Sequence, residues 1–385
     1  MALYEMRKFV APEFIFGVGA RHKVAVYARN MEARRVLIVS DKGVIEAGWV
    51  QQAINDLAEV GIESVVFSEL TANPKDHEVM RGAQFYAENE CDVIVAVGGG
   101  SVIDGAKAIG IVHTNDGEVS MFEGIDQVDI PGPPLICIPT TAGTSADISQ
   151  FCIITNSDMR YKMAIISKTV VPDVALIDPE TTTTLDTYLT ACTGVDALTH
   201  AIEAYVSTAS SPIVDVHAMH AIKLLWENIH RAVFEPSHIP SRENMLLGSL
   251  QAGLAFSNAS LGAVHAMAHS LGGYLDIPHG ECNALLIDHV VRFNMSKSGE
   301  RYQNIAQIMG IDTRGMQTKV LGSRITQEFS NLRKQLGINE KLSNVGVHSS
   351  DIPELATHAV NDACIVTNPR IASLGDIKAI YSEAM

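Results

Sequence analysis

The chain has 385 residues, 47% of them hydrophobic and 19% charged, with 28 Lys+Arg against 44 Asp+Glu and a formal net charge of −16. This apolar content excludes a disordered chain, and the acidic excess disfavours nucleic acid and anionic membrane surfaces as partners. No apolar run approaches the ~18–20 residues of a membrane span, the opening MALYEMRKFVAPEF lacks the apolar core of a secretory leader, and Cys91, Cys137, Cys152, Cys192, Cys282 and Cys364 form no C-x-x-C pair, so a cytoplasmic protein of two or three domains without a disulfide framework or zinc ribbon is expected.

The N-terminal half alternates β-rich runs with helical spacing. RVLIVS (35–40) reads as a strand, and GWVQQAINDLAEVG (48–61) as a helix closed by Gly61. SVVFSEL (64–70) is the next strand, then a turn at Asn73-Pro74 and a helix over 77–89. DVIVAVGGG (92–100) is an apolar strand ending in glycines and leading into a helix from Ser101, and PLICIPT (134–140) is another buried strand. Alternating apolar strands and helices predict a mostly parallel sheet covered on both faces. Beyond about residue 185 no further strand is predicted, and helical patterns cover 186–206, 212–231, 241–259, 261–274 and 282–294. The expected organisation is an α/β dinucleotide-binding domain over 1–185 followed by an all-helical domain over 186–385.

Four constellations carry chemistry. In GGGSVID (98–104), Gly98, Gly99 and Gly100 follow a buried strand and open a helix, an arrangement suited to a pyrophosphate. Ser101 is expected as the N-cap and Asp104 as its capping-box partner. The pattern is not G-x-G-x-x-G, so an ordinary Rossmann domain is not implied. Asp41 follows strand 35–40, where an acid either meets a ribose or merely caps a turn; locally the turn is the better reading. PTTAGTSAD (139–147) reads equally well as a ligand loop or a hydroxyl-capped turn. The sharpest signal lies further on. Asp196 and His200 are spaced i, i+4, as are His265 and His269, and His279 follows a proline break. A carboxylate and several imidazoles on two helices and a turn, in apolar small-residue surroundings, suit a divalent first-row metal better than isolated satisfied histidines. His22, His77, His220, His230 and His238 read as surface residues.

Together these residues resemble the iron-dependent (group III) alcohol dehydrogenase family over nearly the whole chain. The resemblance rests on FIFGVGA, VSDKGV, NPKD, VGGGSVID, PTTAGTSAD, TGVDALTHAIEAY, GAVHAMAHSLGGYLDIPHGECNALL and DACIVTNPR, in that order. It implies an N-terminal NAD-binding domain and a helical metal-binding domain. It implies Asp196, His200, His265 and His279 as metal ligands, with His269 near the nicotinamide. It implies Asp41 at the adenosine ribose, reversing its local reading. Asn73, Gly98, Gly99, Gly100, Ser101, Asp104, Thr140, Thr141, Thr144 and Lys162 would line the cofactor, and Phe151 and Phe256 the substrate or nicotinamide pocket. One departure is Asp186, standing where the family often has proline; it should cap the following helix equally well.

The implied reaction interconverts a small primary alcohol or diol and its aldehyde. The metal acts as a Lewis acid on the substrate oxygen, and hydride passes to C4 of the nicotinamide. Fe²⁺ is the family's ion, and Zn²⁺, Mn²⁺, Co²⁺ or Ni²⁺ suit the same donors. Glycerol dehydrogenase and dehydroquinate synthase share the architecture and form the alternative within the superfamily. A non-catalytic metal- or nucleotide-binding protein is a further reading, opposed by the intact ligand and cofactor motifs. An alcohol or aldehyde is the expected partner, and pairing of the 13–18 edge between copies is expected to give a homodimer or higher oligomer.

Overall fold

Runs of β-branched and aliphatic residues build a sheet of six strands in a computed structural model that describes residues 8–339 and 341–385. MALYEMR, part of the opening stretch discussed above, lies outside them. In chain order the first half comprises β1 (Glu13–Phe16), α1 (Val24–Asn30), β2 (Arg35–Val39), α2 (Lys42–Glu46), α3 (Trp49–Glu59) and β3 (Glu63–Phe67). It continues with α4 (Asp76–Glu88), β4 (Val93–Gly98), α5 (Gly100–Asn115), β5 (Gly124–Ile125), β6 (Leu135–Pro139), β7 (Phe151–Asn156), β8 (Tyr161–Ile166) and β9 (Val174–Ile177). The main sheet runs β1-β9-β6-β4-β2-β3, with every neighbouring pair parallel.

Both faces of this sheet are covered, which explains its uninterrupted apolar strands. Leu37, Val39, Ile94 and Ala96 pack with α4 and α5. The alternate residues Val36, Ile38, Val93, Val95 and Val97 pack with α1 and α3. β3 lies on one side of β2 and β4 on the other, so the strand order reverses between β2 and β4. In open parallel sheets the crevice at such a reversal, beyond the strand C-termini, is where ligands bind. Asp41 lies just beyond the end of β2, and Gly98 ends β4 with Gly99 and Gly100 after it, so both stand at that crevice. Ser40 Oγ donates to the Val97 carbonyl at 2.7 Å and ties the two strand ends together.

Two sequence expectations need correction here. The strand read over 64–70 ends at Phe67, and the expected capping box at Ser101 is absent. α5 begins at Gly100 with Gly99 as N-cap and no side-chain cap bond. Ser101 Oγ instead accepts from the Asn73 amide (3.2 Å), and Asp104 Oδ2 accepts from the Ile153 amide (3.2 Å). A hairpin that sequence reading missed lies between β6 and β9: β7 and β8 pair antiparallel, and β5 adds to β8 in parallel. Asn156 closes its turn by accepting from the amides of Asp158 and Met159. β1, expected as an edge, pairs with β9 within the chain, and among the described residues no strand pairs with its other side.

The second half is helical among the described residues: α6 (Thr187–Val206), α7 (Pro212–Phe234), α8 (Ile239–Ala259), α9 (Ala263–Leu275), α10 (His279–Ile308), α11 (Thr318–Leu336), α12 (Ile352–Asn361) and α13 (Leu374–Glu383). α10 is longer than expected, with a kink at Ser298 (φ −123°). Asp186 caps α6 by accepting from the Leu189 amide at 3.0 Å. From Thr190 onward α6 is buried almost all round, as a helix surrounded by others must be. None of the helices described is long and apolar enough to cross a membrane. All six cysteines are buried and unpaired by disulfides.

Candidate active site

The i, i+4 spacings do what helical geometry requires. α6 carries Asp196 and His200 on one face, α9 carries His265 and His269, and α10 opens with His279 after Pro278. Close helix contact brings these faces together. A Cβ on Gly280 would lie 2.1 Å from the Cys192 carbonyl oxygen, so glycine alone lets the start of α10 rest against α6. Asp196 Oδ1 then stands 3.6 Å from His265 Nε2, 3.8 Å from His279 Nε2 and 3.9 Å from His200 Nε2. These separations are too long for hydrogen bonds. Donors about 2.0–2.2 Å from a shared ion stand about 3–3.6 Å apart, close to this spacing. Asp196, His265 and His279 have ligand atoms mutually within 4.8 Å, whereas His200 stands at the edge of that group.

The electrostatics suit a cation. Burial works to raise the Asp196 carboxyl, but the imidazoles of His200, His265 and His279 outweigh it and hold it well below the usual carboxylate range. Burial drives His200 down to about 3 and His279 well below its ordinary value, so both rings are neutral with lone pairs available. At His265 burial is outweighed by the carboxylates of Asp196 and Glu203, which push it up to about 9, so that an ion there would take the place of its proton. Asn283, which sequence reading did not single out, donates through Nδ2 to Asp196 Oδ1 at 2.7 Å. The same nitrogen lies 3.1 Å from His265 Nε2 and 3.4 Å from His279 Nε2. Three acceptors thus converge on one polar N–H group, and Asn283 Oδ1 has no partner. A donor set of this kind fits a divalent ion.

His269 differs from its neighbours. Its Nδ1 lies 2.8 Å from Asp362 Oδ2, and its ring stacks on His279 at 5.2 Å between centroids. Asp362 and Asn283 were missed because a lone Asp or Asn gives no spacing signal.

A cleft with a cavity volume of about 90 Å³ separates this cluster from the glycine turn. Asn73, Gly100, Ser101, Asp104, Thr144, Phe151 and Lys162 line it from the α/β half, and His200, Phe256, His265, His269 and His279 from the helical half. Asp196 lies behind the imidazoles, 1% exposed. Asp41, Gly98, Gly99, Thr140 and Thr141 lie outside the cleft wall, Asp41 as the N-cap of α2. Phe256 stacks on His200 (4.3 Å) and meets Phe151 edge-on (5.6 Å). Lys162, whose pKa burial lowers, donates to Asn73 Oδ1 at 2.7 Å. Asn73 in turn donates to Asp276 at the end of α9 (2.8 Å), joining the two sides of the cleft.

The glycine turn has a packing reason beside any ligand. A Cβ on Gly100 would fall 2.4 Å from Thr144 Oγ1, and one on Gly99 3.0 Å from Thr141 Cγ2. The threonine loop therefore lies directly against the turn. A Cβ on Gly143 would meet Thr193 at 2.7 Å, which seats the same loop on α6.

A parallel sheet with a ligand crevice, facing a buried Asp/His cluster across a cleft, is the arrangement that a metal-dependent dehydrogenase requires. The chain belongs to the iron-containing alcohol dehydrogenase family: the model for iron-containing alcohol dehydrogenase matches residues 11–179, and that for the C-terminal region of the Fe-containing alcohol dehydrogenase family matches 190–385. It is accordingly an alcohol–aldehyde oxidoreductase. It is 38% identical to the 1,3-propanediol dehydrogenase of Klebsiella pneumoniae, over 99% of both chains. It is 35% identical to the lactaldehyde reductase of Escherichia coli K12, over 96% of this chain and 97% of that one. Among solved structures, a 1,3-propanediol oxidoreductase superposes with a TM-score of 0.95 at 38% identity, covering 99% of this chain and 100% of the other.

Proposed function

We propose that the enzyme interconverts a small primary alcohol or diol and its aldehyde with NAD, at a divalent ion held by Asp196, His200, His265 and His279. Fe²⁺ is the ion the family's name indicates, and Zn²⁺, Mn²⁺, Co²⁺ and Ni²⁺ suit the same donors. The observation that carries the reading is the convergence of Asp196, His265 and His279, the two imidazoles in one wall of the cleft with Asp196 behind them, and Gly100 and Ser101 lining the same cleft from the α/β half. Relatives named for 1,3-propanediol and lactaldehyde support a short diol or hydroxyaldehyde as substrate.

A bound ion supplies Lewis acidity toward the substrate oxygen, and the nicotinamide supplies the hydride acceptor. The chain's own residues do the rest. The turn of Gly98, Gly99 and Gly100, with Ser101 and the hydroxyls of Thr140, Thr141 and Thr144, receives the cofactor's phosphates. Asp41 accepts from the adenosine ribose, while Asn73, Asp104 and Lys162 hold the nicotinamide half. Phe151 and Phe256 exclude water from the reacting carbon. His269, held at Nδ1 by Asp362, exchanges a proton through its other ring nitrogen. In this reading residues 1–185 form the cofactor domain and 186–385 the metal domain. The protein works in the cytoplasm as a homo-oligomer, with β1, the edge strand among the described residues, as the place where a second copy would pair.

The test is a panel of short primary alcohols, diols and aldehydes, assayed with NAD and NADP after reconstitution with each metal. NADH formation that requires added metal is expected. No turnover on any alcohol or aldehyde by fully metal-loaded protein would overturn the reading.

A further inference from the structure

Glu203 sits seven residues after Asp196 on α6, two turns along the same face, and is 3% exposed. Its carboxylate is turned away from the cleft toward the start of α9. Oε2 accepts from the Gly262 amide (2.9 Å), from His265 Nδ1 (2.7 Å) and, more weakly, from the His265 amide (3.4 Å). Oε1 accepts from the Val264 amide at 2.7 Å. The remaining amide of that turn, Ala263, donates to Asn368 Oδ1 at 3.1 Å. Gly262, the N-cap of α9, offers no side-chain cap of its own. A Cβ there would fall 2.8 Å from Glu203 Oε1 and 2.9 Å from Asn368 Oδ1, so the cradle has room for glycine only.

One side chain therefore serves two ends at once. It neutralises the positive end of α9, where orphan amides and the helix dipole favour an anion. It also fixes the ring of His265: Nδ1 is held at 2.7 Å by Glu203, so Nε2 is the nitrogen aimed at Asp196 and the one left to ligate when an ion displaces its proton. Because both bonds come from one rigid carboxylate, the orientation of the imidazole and the docking of α9 cannot vary independently.

We infer that Glu203 is a positioning residue for metal binding, setting the tautomer and aim of His265 from outside the ligand set while capping the helix that carries it. This rests on the proposed ligand assignment. Partners of this kind, behind a ligating imidazole, are worth about 10- to 100-fold in metal affinity or activity. Glutamine at 203 keeps the shape but replaces one acceptor with an N–H₂ donor. That donor would face either the Val264 amide or the Gly262 amide and His265 Nδ1, leaving them without an acceptor.

The experiment measures Zn²⁺ affinity by competition with a chromophoric chelator, together with the Tm of the metal-free protein, for wild type, Glu203→Gln and Asn368→Ala. Asn368→Ala removes the other cap acceptor without touching an imidazole. The expected result is a lowered Tm in both variants, with Zn²⁺ affinity at least about tenfold weaker in Glu203→Gln only. Should Glu203→Gln not fold, Glu203→Asp keeps the charge but withdraws it by one methylene and is expected to show the same loss. Zn²⁺ affinity within twofold of wild type in the Glu203 variant, at lowered Tm, would make Glu203 a helix cap and nothing more. An equal affinity loss in Asn368→Ala would assign the effect to helix docking and likewise overturn the inference. A wild type that binds no Zn²⁺, or binds it undiminished in His279→Ala, would instead overturn the ligand assignment itself.

Discussion

His269 and Asp362 form a buried imidazole–carboxylate pair, Nδ1 to Oδ2 at 2.8 Å, beside but outside the converging ligand group. Burial raises the Asp362 carboxyl, but the neighbouring imidazole outweighs it and keeps the pKa low. An ionised Asp362 fixes the proton of His269 on Nδ1 and leaves the other nitrogen as the acceptor. His269→Ala should retain bound metal and lose about 10²-fold in turnover, in the range of general acid–base contributions. Asp362→Asn should lose less and alter the pH profile of kcat. Elemental analysis beside kcat against pH decides; loss of metal in His269→Ala would move that residue into the ligand set.

His279→Ala should abolish metal binding and nearly all activity while NAD binding to the α/β half persists. The glycine turn and Asp41 adjoin elements that pack into the clusters on the two faces of the sheet, whereas α9 and α10 pack into a third, mostly helical one. Metal content and an NADH fluorescence titration on the same sample check both halves. Full occupancy with wild-type turnover would remove His279 from the ligand set.

Gly280→Ala should damage the site without touching a donor atom. The new Cβ would collide with backbone, the Cys192 carbonyl oxygen at 2.1 Å, and would lie 3.2 Å from Asp196 Cβ. Relief requires α10 to move off α6, at a cost of about 1–3 kcal/mol, and this moves His279 away from Asp196. Lower Tm and weaker metal affinity are expected together; an unchanged metal affinity would mean that α10 relaxes without moving its first residue.

Asp41→Gly should relax the preference for NAD. Asp41 uses Oδ1 to cap α2 through the Val44 amide at 3.0 Å, and it stands at the sheet's reversal point. The 2′-phosphate of NADP would bring like charge against it, at a cost on the order of a few kcal/mol in a partly screened site. About 1.4 kcal/mol already gives a tenfold preference. The ratio of kcat/KM for the two cofactors, in wild type and variant at one ionic strength, is the measurement. No change of ratio would leave Asp41 as a turn residue only.

Asp104 predicts a pH dependence of stability. Burial lifts its carboxyl to about 6 from an ordinary 3.8, despite Lys107 nearby and the bond from the Ile153 amide. The folded chain therefore holds this proton more tightly than the unfolded one. The resulting stabilisation is complete below about pH 3.8 and is lost as pH rises through about 6. Asp104→Asn, which cannot ionise, should exceed wild type in Tm at pH 8 by the equivalent of at most about 3 kcal/mol. The gap should close toward pH 4. Tm against pH without cofactor is the check, and a gap independent of pH would show that ionisation of Asp104 costs nothing.

The sequence determined the sheet strands flanked by helices, because a strand buried on both faces must be apolar throughout, as β2, β4 and β6 are. It also determined the helix faces bearing Asp196, His200, His265 and His269, because i, i+4 spacing fixes a common face whatever surrounds the helix. The β7–β8 hairpin was not legible, since FCIITN and YKMAII are short apolar runs whose pairing is settled only by their partners. Ser101 and Asp104 had the right spacing for a cap, yet their bonds went to Asn73 and Ile153, groups distant in sequence. Only the tertiary structure decided that Gly280 brings α10 against α6, that Asn283 stands among the converging donors, and that Glu203 and Asp362 sit behind two imidazoles. Each is a single residue that acts through a neighbour from another element, and periodicity records what one element does alone, never which buried polar groups must find each other when the elements pack.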